Sequence, residues 1–261
     1  MDIKKEFEKY ALSDGLSSMN LHYYEKNIEG SLTPYILEER EMRVTQMDVF
    51  SRLLRDRIIW VSGVVNQHMC DVTQAQLMFL DNLNNTKDIT MHINSPGGSV
   101  LQGLGMVDVM RYIKSDIVTI NTGMAASMGS ILLSSGTKGK RSSLNFSKVM
   151  IHQVSSGAQG HVQDNRISQM ESEKYNYILF KMLAENSGRS FDEVLESARR
   201  DKWLNSQEAL DFGFIDEIIL TDKTSSITTL MDGFEDYYTK EILQIPDSPT
   251  KTTPTKRTPK K

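Results

Sequence analysis

Between about residues 35 and 220 the chain alternates short apolar runs with longer stretches of helical spacing. Ile58-Ile59-Trp60-Val61 starts a buried strand, Ala75–Leu80 lies in a helix, and Asp88-Ile89-Thr90-Met91-His92-Ile93 returns to a strand. A Ser-Pro-Gly-Gly turn, the helical stretch Leu101–Ile113 and the strand Ile117-Val118-Thr119-Ile120 follow, and Val149-Met150-Ile151-His152 reads as a further strand. Strands separated by helices of about ten to fifteen residues predict βαβ units, hence an α/β domain on a largely parallel sheet. From about His161 to Asn186 there is no Gly or Pro, and Glu, Gln, Lys and Met are abundant. That segment predicts one helix of roughly 40 Å at 1.5 Å per residue. So long a helix outruns a small core, and part of it is expected to pack against another subunit.

The ends differ from this middle. Four of the six prolines, Pro246, Pro249, Pro254 and Pro259, alternate near the C-terminus with Thr, Lys and Arg257. Such a composition cannot bury enough apolar surface to offset the entropy of ordering, so disorder is expected from about residue 245. Residues 1–30 are polar and unpatterned, an extension or a removable leader. The expected organisation is therefore residues 1–30, a domain over 31–221, and a C-terminal extension over 222–261. An apolar content of 39% suffices for a core, and a net charge of -4 gives no reason to expect nucleic acid. Cys70 is the only cysteine, which excludes an intrachain disulfide and a cysteine metal site. The first residues lack the apolar core of a signal peptide, and no run of about 18 apolar residues exists. A soluble cytoplasmic protein that does not engage a membrane is expected.

Candidate chemistry centres on Gly123-Met124-Ala125-Ala126-Ser127-Met128-Gly129, where a hydroxyl sits among residues of little bulk. A serine becomes a useful nucleophile when an imidazole takes its proton and a carboxylate orients that imidazole. His152 and Asp201 follow in that order, which excludes α/β-hydrolase, chymotrypsin-like and subtilisin-like arrangements but leaves a third scaffold open. Acyl transfer also needs preorganised backbone donors for the oxyanion, each worth about 3 kcal/mol. Asn94-Ser95-Pro96-Gly97-Gly98 supplies a nearly side-chain-free edge after a strand, so the Gly98 N–H is one candidate, and the Met128 N–H at a predicted helix start is the other. Taken singly, each residue has a plainer explanation: a core histidine for His152, a surface ion pair for Asp201 after Arg199-Arg200, an ordinary turn for Ser-Pro-Gly-Gly.

Together, the segments Met47–Leu54, Ile93–Gly98, Gly123–Gly129, Gly136–Arg141, Val149–Gln153 and Arg200-Asp201 resemble the ClpP family, the proteolytic subunits of ATP-dependent caseinolytic proteases. The resemblance spans about residues 35–220. It implies a ClpP/crotonase-like fold of stacked βαβ units with a protruding handle helix, and a serine endopeptidase acting on unfolded proteins and short peptides. It places the triad on Ser127, His152 and Asp201 and the oxyanion donors on Gly98 and Met128. Substrate would lie along Gly97, Gly98 and Ser99 on one side and Gln153, Val154 and Ser155 on the other, and Arg200 would pair across a ring interface. The implied assembly is a double heptameric ring, a tetradecamer for protein quality control, fed by an AAA+ unfoldase such as ClpX or ClpA. That partner would consume the ATP, since no G-x-x-x-x-G-K-[ST] motif is present and no cofactor or metal is expected here.

Within the matched stretch the chain departs from the family pattern in two places. After His152-Gln153 the family usually has Pro and a Gly-Gly pair, where this chain has Val154-Ser155-Ser156-Gly157. Aromatic positions of the family's docking pocket fall on Thr90 and His92, with Tyr112 retained, which predicts weaker or altered docking. The segment about Ile36–Met42, with Glu38, Glu39 and Glu41, would line an axial pore. Two other readings stay open on the sequence: a ring subunit that scaffolds active copies, and a crotonase-type acyl-CoA enzyme, whose oxyanion hole is also built from paired backbone donors.

Overall fold

The computed structural model describes residues 35–40, 43–155, 157, 161–220 and 225–242. Strands β1 (Tyr35–Arg40) and β2 (Arg43–Asp48) form an antiparallel hairpin that precedes the main body. Of the expected pore segment, Glu41 and Met42 lie outside the described residues. Helix α1 (Val49–Arg55) starts at Asp48, whose carboxylate accepts from the Ser51 N–H at 3.0 Å, and then β3 (Ile58–Ser62), α2 (Gln67–Leu83), β4 (Ile89–Ser95), α3 (Val100–Tyr112) and β5 (Ile117–Ala126) follow in strict alternation. Asn66 and Ser99 cap α2 and α3 through their side-chain oxygens, which accept otherwise orphaned N–H groups.

Strands β3, β4 and β5 are parallel neighbours, as the βαβ spacing predicts. Their burial alternates, and Ile59, Val61, Ile89, Met91, Ile93 and Ile117 form the apolar centre of the sheet. Strand β5 is longer than the apolar run Ile117–Ile120 suggests, because it continues through small and polar residues to Ala126. Its two halves serve different partners. Thr119–Asn121 pairs with β6 (Arg141–Leu144), and Met124–Ala126 pairs with β7 (Lys148–Ile151). A register shift between Ile93 and Ser95 accommodates the change of direction, and the Asn94 carboxamide oxygen fills it by accepting from the Met124 N–H at 3.2 Å.

Helix α4 (Met128–Ser134) leaves β5 and is buried throughout. The predicted long helix is α5 (Val162–Ser187), 26 residues ended by Gly188 in the left-handed conformation. Only its last third packs on the core, through Leu179, Phe180, Met182, Leu183 and Ala184. Val162, Ile167 and Met170 of its first half are exposed. Then come α6 (Phe191–Ser197), β8 (Lys202–Leu204), α7 (Ser206–Phe212) and β9 (Glu217–Ile219), where β8 is the one antiparallel member of the sheet, paired with β7. Beyond them, short helices α8 (Ile227–Leu230) and α9 (Phe234–Tyr237) are tied to the body by Asn145, whose side chain donates to Ser225 O at 2.8 Å and accepts from Ile227 N at 2.9 Å. The expected disorder from about residue 245, and residues 1–30, lie outside the described residues.

Candidate active site

Strand register brings the three polar residues together. Ala126 lies opposite Met150 in the β5–β7 pair, so Ser127 and His152 emerge just past the same end of two adjacent strands. In the antiparallel β7–β8 pair Ile151 faces Lys202, and continuing the ladder by one rung sets His152 opposite Asp201. The resulting geometry has His152 Nε2 at 2.9 Å from Ser127 Oγ and His152 Nδ1 at 3.3 Å from Asp201 Oδ1. A carboxylate beside Nδ1 favours the Nδ1–H tautomer, which leaves the Nε2 lone pair to accept the serine proton. His152 is largely buried, whereas the Asp201 side chain is 65% exposed in the isolated chain.

Ser127 sits at φ 53, ψ -121, a conformation non-glycine residues rarely adopt and one that costs on the order of 1–3 kcal/mol. Its neighbours hold it there. The Ser127 N–H donates to Met150 O at 2.9 Å, and Ser127 O accepts from the Ser130 N–H at 3.0 Å and hydroxyl at 2.7 Å. The turn thrusts Oγ out of the strand end and starts α4 at Met128, whose N–H, first of the helix, has no partner within it.

The Gly-Gly edge approaches from β4. Val65 bridges it in parallel fashion, donating to Gly97 O and accepting from the Ser99 N–H, each at 2.8 Å. Consecutive residues of an extended chain point their N–H groups to opposite edges, so the Gly98 N–H faces away from Val65, into the cleft that Gly98 lines. Both glycines are obligatory. A Cβ on Gly97 (φ +91) would meet Ser127 Cβ at 2.6 Å and Met128 N at 2.9 Å, and one on Gly98 (φ +150) would meet Val65 O at 2.3 Å. Thus Gly98 and Met128 each present a backbone N–H beside the serine.

The cleft itself encloses ≈ 170 Å³. Besides Gly98, Ser127, Met128 and His152, it is lined by Gln153, Val154 and Ser155, and its floor is apolar: Ile131, Leu179, Phe180 and Leu183. Gln153–Ser155 continue beyond β7 without a strand partner among the described residues. Sequence reading missed Val65, the bond from Met124 N–H to Asn94 and the α5 floor. The apolar spacing Leu179, Phe180, Leu183 was the one available signal for the last; Val65 pairs through a lone bridge that no local pattern encodes. Arg200 is exposed, and Gly97 and Ser99 shape the edge rather than the cleft wall. Thr90 and His92 lie on β4, His92 stacked on Trp60 with ring centroids 4.9 Å apart, and Tyr112 ends α3 with its ring exposed. Among the described residues no group of three His, Cys, Asp or Glu side chains could hold a metal ion, and no helix is long and apolar enough to cross a membrane.

The Clp protease family model matches residues 39–222. Similar proteins include ones described as "ATP-dependent Clp protease proteolytic subunit" from Bacteroides fragilis strain YCH46, 49% identical over 82% of this chain and 98% of the relative, and from Bacteroides thetaiotaomicron, 48% identical over the same shares. Another, from Porphyromonas gingivalis, is 45% identical over 82% of this chain and 97% of its own length. The segment carrying α8 and α9 lies beyond the family match.

Proposed function

The chain belongs to the Clp protease family, and from that premise we infer that it is the proteolytic subunit of an ATP-dependent Clp protease, a serine peptidase. The observation that carries the reading is the Ser127–His152–Asp201 constellation, with 2.9 Å from serine to histidine and 3.3 Å from histidine to aspartate. The Ser127 hydroxyl attacks a peptide carbonyl while His152 Nε2 takes its proton and later delivers it to the leaving amine. Asp201 orients the ring and stabilises the imidazolium. The Gly98 and Met128 N–H groups bind the developing oxyanion, charge that exists only in the transition state and intermediate, so they lower the barrier rather than merely tighten binding. The strained backbone at Ser127 is fixed before substrate arrives, so that strain costs nothing at the moment of reaction.

Substrate chain enters extended between the Gly98 edge and Gln153–Ser155, with an apolar side chain resting on Ile131, Leu179, Phe180 and Leu183. Main-chain pairing makes recognition tolerant of sequence, which suits a peptidase that degrades unfolded proteins delivered by an ATPase. The relatives' description as ATP-dependent points to such a partner. An AAA+ unfoldase would dock on the exposed Trp60, Phe79 and Tyr112 side chains, and copies of this chain would assemble as two stacked heptameric rings. Support for assembly comes from α5, whose first half exposes apolar side chains far from its own core, and from the exposed triad carboxylate.

The test is hydrolysis of a short fluorogenic peptide by the purified protein and by Ser127→Ala, with particle mass recorded for both. Serine-dependent turnover by a particle of about fourteen copies is expected, with Ser127→Ala losing several orders of magnitude in kcat while its mass stays unchanged. Undiminished turnover in Ser127→Ala overturns the assignment.

A further inference from the structure

Resting on the peptidase reading above, we infer that Asn176 is a positioning residue of the substrate cleft, holding the Gln153–Ser155 edge in register for an extended peptide. Asn176 Oδ1 accepts from the Val154 N–H at 3.1 Å, a bond that crosses from helix α5 to the segment just past His152. Beyond β7 that segment carries no strand partner among the described residues, so the helix side chain stands where a ladder partner otherwise would.

Two further observations show why this contact bears on the site. Leu179, Phe180 and Leu183 follow Asn176 at i+3, i+4 and i+7, so all four share one helix face. The three apolar members line the cleft, and Asn176 continues the same face one turn toward the exposed half of α5. Burial also alternates from His152 to Ser155: His152 and Val154 are half-buried, Val154 packing on the core, while Gln153 and Ser155 are exposed. That alternation fits extended backbone, in which neighbouring N–H groups point to opposite edges. With the Val154 N–H turned to α5, the N–H and C=O of Ser155 face the other way, toward the opening where Gly98 forms the opposite edge. Asn176 thus fixes which backbone groups remain for substrate. A peptide long enough to reach Ser155 feels the bond; a substrate that occupies only the apolar floor and the oxyanion donors does not.

The experiment compares the full-length wild type, Asn176→Ala and Asn176→Asp on a pentapeptide amide and on the nitrophenyl ester of a single acylated apolar amino acid. Labelling by a fluorophosphonate reports Ser127 independently of peptide length. Ala is a strong helix former at a half-exposed site, so the helix tolerates it. The expected result is a KM for the pentapeptide raised about fivefold in Asn176→Ala, the worth of one hydrogen bond, with kcat, ester turnover and labelling unchanged. Asn176→Asp keeps an acceptor and should return KM to within about twofold of wild type. Equal losses on both substrates would mean a merely structural role, and no change on either would mean no role; each overturns the inference while leaving the peptidase reading intact. A wild type that neither labels nor cleaves would sink both.

Discussion

Gly97 and Ser127 meet so closely that a methyl group on the glycine would lie 2.6 Å from the serine Cβ. The contact joins the two halves of the site, since one residue carries the β4 edge and the other the nucleophile. Because Met128 N would also stand only 2.9 Å from that methyl, no small side-chain rotation relieves the clash.

Gly97→Ala should therefore act on chemistry more than on folding. Backbone must shift at the oxyanion donors, and misplacing one donor costs about 10²–10³ in kcat. Peptide kcat is expected to fall by at least about 10²-fold while particle mass and circular dichroism stay close to wild type. Retention of more than about a tenth of kcat would show that the edge is more pliant than the packing implies.

Arg141 and Asp216 form the main buried ion pair away from the site. The Arg141 side chain is 1% exposed; its Nε and Nη2 reach the carboxylate at 2.8 and 2.6 Å, and Nη1 reaches Ser134 O and Asn186 O at 3.2 and 2.8 Å. One guanidinium thereby ties β6 to the ends of α4 and α5. Asp216→Asn leaves that charge uncompensated and should cost about 3–5 kcal/mol in urea unfolding.

Acid should expose the same pair. Burial works against the Asp216 carboxylate, but the Arg141 side chain and the N–H groups of Arg141 and Gly139 outweigh it and hold its pKa down to about 2. A folded pKa below the unfolded one gives stability that is present above about pH 4 and lost as pH falls toward 2, about 2 kcal/mol in all. Urea midpoints between pH 5 and 2 should fall more steeply for wild type than for Asp216→Asn, and parallel slopes would refute the attribution.

His92 gives a second pH signature at a higher range. It faces Trp60 across the β3–β4 pair, stacked at an interplanar angle of 12°, and burial pushes its pKa below the ordinary histidine value. A base harder to protonate in the folded state destabilises that state progressively as pH falls below about 6.5, until the folded pKa is passed. His92→Phe keeps the stacking and removes the titration. The wild-type melting temperature should drop relative to His92→Phe between pH 7.5 and 5, while the Trp60 fluorescence of the folded protein, read in a Trp203→Phe background, should change only at lower pH, where the folded ring takes its proton.

Much of this site was legible in the sequence because its parts sit at strand ends, where local pattern is informative. His152 and the Gly97-Gly98 edge each close a recognisable strand, and Ser127 is marked by the small residues around it. The long helix was equally plain from its lack of Gly and Pro, and its observed limits, Val162–Ser187, differ from the expected ones by a residue. What escaped were relationships that depend on tertiary register. The second half of β5 hides behind Asn121 and Gly123, residues of weak strand signal, and is held by Asn94 and β7 instead. Val65 acts through two hydrogen bonds and Asn176 through one, all to distant backbone, for which neither periodicity nor composition leaves a trace.

The split of β5 also bears on how such a site can fail. Nucleophile, base and orienting carboxylate hang from the ends of three adjacent strands, with Ala126 beside Met150 and Ile151 beside Lys202. Slipping either pair by one rung moves a side chain about 3.3 Å and turns it to the other face of the sheet. No halfway register exists. Damage that loosens these strands should accordingly silence individual copies outright rather than slow all of them, so the burst amplitude of a partly inactivated sample would shrink while the rate constant of the surviving copies held steady.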